Sequence, residues 1–134
     1  MSQATNHMES LVLTGLLNGT SITLSGAKPY IGLLTSAPTD SGGGTEISGG
    51  SYGRVQIGGA GQGDFSVVDG SATNDSEFKW ADATADWGNI THIGLFDSAT
   101  DGNMLLYGTL SSSVNVTSGD IFKIPPAGFT INMD

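Results

Sequence analysis

The side chains with the first claim to chemistry are His7 and His92, two local carboxylate pairs, and a glycine cluster; the chain has no cysteine, so thiolate chemistry and disulfides are excluded. A Ser-His-Asp arrangement needs a nucleophile on a sharp turn, and no serine sits in a Gly-x-Ser-x-Gly setting. His92 falls inside an apolar run with Ile90, Gly94 and Phe96 at alternate positions, which reads as a hydrogen-bonded packing histidine. The pairs Asp82/Asp86 and Asp97/Asp101 lie in turn-forming segments. A glycosidase needs its two carboxylates across a sugar-lined cleft. The Asp97–Asn103 stretch is dense in oxygen ligands but lacks the EF-hand spacing and its terminal Glu. Gly58–Gly63 has neither the Gly-x-Gly-x-x-Gly spacing nor a following Gly-Lys-Ser/Thr, so it is not a phosphate loop. Trp80 and Trp87 read as core plugs rather than a stacking platform. The residues point to no enzyme, no cofactor and no metal.

The elements that would position these side chains are mostly strands. Glycine is abundant, 21 of 134 residues, about twice the usual share of roughly 7%. Thirteen acids face four bases, Lys28, Arg54, Lys79 and Lys123, for a net charge of −9. Such a chain repels nucleic acid and anionic membranes. No apolar run is long enough to span a bilayer, and no secretion leader is expected. Four Asn-x-Ser/Thr sequons, at Asn18, Asn74, Asn89 and Asn115, read as chance in a chain rich in these residues.

One helix is expected over residues 6–18, with Asn6 as its cap, Glu9 completing the box and Gly19 as its stop. Its apolar positions Met8, Leu11, Val12, Leu13, Leu16 and Leu17 cover so much of its surface that it must pack on something. Strands are expected at Ile22–Leu24, Tyr30–Leu34, Tyr52–Ile57, Phe65–Val68, Glu77–Trp80, Asn89–Phe96, Met104–Leu110, Val114–Val116, Asp120–Ile124 and Gly128–Met133. Turns are expected at Asn74-Asp75-Ser76, Asp97–Asn103 and Ser118-Gly119, with glycine-rich loops over 35–50 and 58–64. Phe129, Ile131 and Met133 alternate on one face of the last strand. Short strands at this spacing predict one domain over 1–134: mainly β, an antiparallel β-sandwich or barrel-like fold with one short N-terminal helix. Trp87, Ile90, His92, Phe96, Phe129 and Ile131 are its candidate core.

Two long segments, Tyr30–Arg54 and Ala83–Leu110, resemble a widespread group of small structural proteins of tailed bacteriophages, labelled tail fibre, head fibre or decoration proteins. The Trp87-Gly-Asn-Ile-Thr-His92 core is the most telling part. The leucine-rich helix at Asn6–Asn18 and the closing Ala127–Asp134 strand fit the same pattern, whereas Gly58–Asp82 matches less well. The group carries no catalytic residues, so none are transferred. The resemblance implies a structural protein on the exterior of the virion, made in the host cytoplasm. The first expectation is a capsid decoration or cement protein stabilising the assembled shell. The alternative is a tail fibre, tail-tip or adaptor protein in host attachment. Expected partners are copies of itself, as a trimer, and the major capsid protein or tail proteins of the same particle. Met8, Leu11, Val12, Leu13, Leu16 and Leu17, with Thr45, Glu46 and Ile47 of the first glycine-rich loop, are the candidate subunit contacts.

Overall fold

The computed structural model describes residues 2–22 and 28–132. The chain opens with β1 (Ser2–Ala4) and α1 (Asn6–Asn18). Then come β2 (Tyr30–Leu34), β3 (Val55–Gln56), β4 (Phe65–Val68), β5 (Ser71–Asn74) and β6 (Phe78–Lys79). The long strands β7 (Gly88–Phe96) and β8 (Met104–Val116) follow, and β9 (Lys123–Ile124) and β10 (Thr130–Asn132) close the chain. Every pairing is antiparallel. The strands form a five-stranded sheet in the order β1-β8-β7-β2-β3, a three-stranded sheet β10-β5-β4 and a two-stranded sheet β6-β9. The expected mainly-β fold with one N-terminal helix is what the chain adopts.

The layers are unequal. One face of the large sheet offers Ile31, Leu33, Ile93 and Leu95. The small sheets and their connections cover it with Phe78, Trp80, Phe122 and Ile124, and Phe65, Phe129 and Ile131 pack at the margin. The aromatic contacts are edge-on: Trp80 meets Phe122 at 5.2 Å and Phe65 meets Phe129 at 5.5 Å. Both tryptophans are core, as their setting suggested. On the opposite face Leu34, Phe96, Met104 and Tyr107 form a second cluster.

A bulge corrects the face expected for Ile90. The register slips between Ile90, which pairs with Val114, and His92, which pairs with Thr109. The partner strand thus spends five positions where β7 spends two, and the alternation resets. Ile90 joins Ile93 and Leu95 in the main core instead of sharing a face with His92. His92 is half-buried rather than core, and its Nδ1 shares a 2.7 Å hydrogen bond with Thr91 Oγ1.

Other strand expectations shift for local reasons. β8 runs unbroken through Ser111-Ser112-Ser113 to Val116, so two expected strands are one. Only Val55–Gln56 of the expected Tyr52–Ile57 strand pairs. Asn74 ends a strand instead of starting a turn, because its side chain is buried and ties three segments. Its amide donates to Ser76 O and Pro125 O, and its carbonyl accepts from Phe129 N. The hairpin turn is Asp69-Gly70, both at positive φ. Thr23 and Leu24 of the expected Ile22–Leu24 strand lie outside the described residues, as does Met133; Ile22 is not in a strand.

Candidate assembly surface

Among the described residues, the hydrogen bonds that tie α1 to the sheets lie at its start. Thr5 caps it, not Asn6: Thr5 Oγ1 accepts from Met8 N at 3.3 Å, and Thr5 O takes the first helical bond from Glu9 N. Thr5 also donates to Met104 O at 2.6 Å and is buried, while Asn6 N donates to Asp40 O at 2.8 Å. These bonds pin the helix start to β8 and to the first glycine-rich loop. Gly19, at φ 67°, stops the helix as expected. After it the chain turns back. Thr20 Oγ1 donates to Thr14 O, and Ile22 lies so close to Gly15 that a Cβ there would strike it.

Away from that anchor the helix is uncovered. None of its residues is buried. Leu13 is 54% exposed, Leu16 72% and Leu17 73%. Met8, Leu11 and Val12 are half-buried. Covering a leucine fully contributes about 2 kcal/mol, so three uncovered together form an apolar patch of the kind that marks interaction sites. Charge supports the same view. Among residues 1–27 Glu9 is the sole acid and no Lys or Arg occurs, whereas the β body carries the other acids and every base.

The first glycine-rich loop is built differently from a docking arm. Thr35 N donates to Thr45 O, Ile47 N donates to Leu33 O, and Leu34 bridges to Glu46. Ile47 is buried in the main core and Glu46 turns inward, so of the three candidates only Thr45 is exposed. The second loop, 58–64, is held by Gly58 N to Gly63 O and by Gln62, which bonds Lys79 through both its amide oxygen and nitrogen.

What holds Glu46 is a network that sequence inspection missed. Arg54 grips Glu46 with two bonds of 2.8 Å, Nε to Oε2 and Nη2 to Oε1. Its Nη1 donates to Ser98 O and Asp101 O of the β7–β8 hairpin, both at 2.8 Å. The guanidinium lies 3.5 Å from the Phe96 ring centroid. Phe96 in turn lies over Gly32 and Gly94, where added Cβ atoms would come within 2.7 and 2.9 Å of the ring. Tyr52 Oη donates to Glu46 Oε2 at 2.7 Å and accepts from Leu33 N. Burial, and then the Glu46 hydrogen bond, push the Tyr52 hydroxyl far above the usual phenol range. The signal available in sequence was the lone arginine of an acidic chain, following a loop that carries a glutamate. These groups bond one another and fasten the loop to the β7–β8 hairpin.

Two of the carboxylates considered for chemistry, Asp97 and Asp86, accept hydrogen bonds from their own surroundings. Asp97 is buried and accepts from Asn103 N at 2.7 Å and Asn103 Nδ2 at 3.0 Å. Burial alone would raise its pKa, but the Asn103 bonds and nearby His7 outweigh it and hold the carboxyl below its ordinary value. Asp86 Oδ1 accepts from Ser118 N. Among the described residues no group of three or more His, Asp or Glu gathers as a metal site. No helix among them is long and apolar enough to cross a membrane.

Against known proteins, a family model described as podophage GP4 fiber I protein gp80 matches residues 3–132. No curated protein matches the chain.

Proposed function

The chain belongs to the podophage GP4 fiber I protein gp80 family, and from that premise we propose that it is a fibre-type subunit on the particle exterior, joined to further copies of itself through the uncovered leucine face of α1. The family is one of phage fibre proteins, which makes a structural virion role the ground for everything finer. The observation that carries the finer reading is the helix: fixed at Thr5 and Asn6, uncharged apart from Glu9, and bare at Leu13, Leu16 and Leu17. A chain of net charge −9 meets least self-repulsion where acids are fewest, at the helix that carries Glu9 alone. The β body, stitched by Arg54 and Asn74, supplies rigidity rather than chemistry.

The same construction suits a shell decoration, with major capsid protein beneath the leucines, and the two placements differ in stoichiometry. A particle reconstruction tests both. A small set of copies around the tail or a vertex, with α1 buried against neighbouring copies, is the expected result. Hundreds of copies seated on capsid subunits would replace the fibre placement with decoration, and absence of the chain from purified particles would overturn both.

A further inference from the structure

The molecule has a second uncovered feature, remote in sequence from α1 and independent of it. β4 is an edge of the three-stranded sheet, paired with β5 on one side only. Natural edges are blunted by charge, proline or bulges. Phe65-Ser66-Val67-Val68 has none of these: it contains no charge and no proline, and its register with β5 is unbroken from Phe65↔Asn74 to Val68↔Ser71. Val67 is 72% exposed and Val68 65%.

The backbone is presented in a definite phase. The two-residue turn Asp69-Gly70 makes Val68 and Ser71 a hydrogen-bonded pair, and the pattern alternates from there. Ser66 and Val68 therefore direct their peptide groups toward β5, and Asp75 N donating to Asp64 O at 2.9 Å fits the same phase. Phe65 and Val67 direct theirs outward. Phe65 N–H is already taken by Asp64 Oδ1 at 2.9 Å. That leaves Phe65 C=O, Val67 N–H and Val67 C=O as a short template.

Charge decides what fits it. Asp64 and Asp69 bracket the strand. Lys28 pairs with Asp64, while Asp69 has no ion-pair partner among the described residues. If two copies paired β4 to β4 in antiparallel fashion, the outward phase would set Phe65 of one against Val67 of the other and bring the acidic ends of both strands together in a dimer of already acidic chains. A partner strand with cations at its ends brings opposite charge to both acidic ends instead, above all to Asp69. The flanking rows add a side-chain preference. Val67 continues the row Ala72–Ile131, and Ser66 continues Thr73–Thr130. An apolar residue fits beside the first and a small polar one beside the second.

We infer that the outer edge of β4 accepts an extended strand of a different protein, alternating β-branched apolar and small polar residues and ending in Lys or Arg, which continues the sheet by one strand. Two synthetic peptides test it on the full chain: Lys-Thr-Val-Thr-Val-Thr-Lys and its counterpart with Glu at both ends, followed by backbone-amide chemical shifts. The lysine peptide is expected to move the resonances of Phe65–Val68 and to bind about tenfold more tightly than the glutamate peptide. Val67→Pro removes the outward N–H without touching the β5 ladder. It is expected to keep the remaining spectrum and lose binding by about tenfold or more. Asp69→Lys is expected to reverse the preference between the peptides. Absence of binding, equal binding of both peptides, shifts centred elsewhere, or undiminished binding to a folded Val67→Pro chain would overturn the inference.

Discussion

At the scale of single residues the molecule is defined by groups that could have done chemistry and are instead used to fasten loops. Arg54 is the strongest case. Its side chain is 6% exposed and its Glu46 partner 25%. Removing one member of such a pair strands the other, which costs more than the pair itself contributes. Arg54→Met is expected to lower unfolding free energy by about 3 kcal/mol, measured by urea denaturation. Adding Glu46→Gln should recover part of that loss, a coupling the double-mutant cycle reads directly. Gly32→Ala attacks the same network from beneath, through the Phe96 ring, at about 1–3 kcal/mol for overpacking. Asp97 gives the pH dependence. Its carboxyl titrates below its ordinary 3.8 in the folded chain. It therefore contributes stability that is present above about pH 4 and lost as the pH falls through the folded value. The stability gap between wild type and Asp97→Asn is expected to shrink from pH 7 toward pH 3, in paired denaturation curves.

At the scale of elements, α1 stands apart from the sheets. Its chief joint is Thr5, buried beneath the helix start and bonded to Met104 O, Leu105 O and Met8 N, with Asn6 N on Asp40 O beside it. Thr5→Ala is expected to cost about 1–2 kcal/mol. Leu16→Glu with Leu17→Glu is expected to change the stability of an isolated chain by no more than about 0.5 kcal/mol each, as befits exposed positions. The contrast, read by thermal or urea unfolding, separates a residue that builds the fold from residues that the fold leaves at the surface. Sequence made some of these elements plain. The bounds of α1 and β2 follow from apolar spacing, the Gly19 stop and Pro29, although the cap is Thr5 and not Asn6, and β7 differs by one residue at its start. It concealed others. β1 and β5 are written in Ser, Gln, Ala, Thr and Asn, which carry no strand pattern; β1 pairs because the long β8 lies beside it, and β5 because the Asp69-Gly70 turn folds it onto β4. The bulge that separates Ile90 from His92 depends on three extra residues in β8, visible only once the two strands are aligned. The leucine surface was legible as an apolar surplus on the helix. The Arg54 network was not, because its members lie 8 and more than 40 residues apart in sequence.

At the scale of the whole molecule, charge is distributed so that an acidic β body ends in a nearly neutral, leucine-bearing helix. Association through that end buries apolar surface while bringing like-charged bodies near one another. Added salt screens the repulsion and leaves the apolar gain. Self-association is therefore expected to strengthen between low and moderate salt, checked by sedimentation at each ionic strength; a contact built on ion pairs would weaken instead. The most direct measurement is the mass in solution of the purified full chain beside its Leu16→Glu/Leu17→Glu variant, by light scattering at matched concentration. Wild type should be an oligomer of defined order, and the variant a monomer with an unchanged circular-dichroism spectrum. A monomeric wild type at every concentration, or a variant whose mass is the same as that of an oligomeric wild type, would contradict the assignment of α1 as the joining surface.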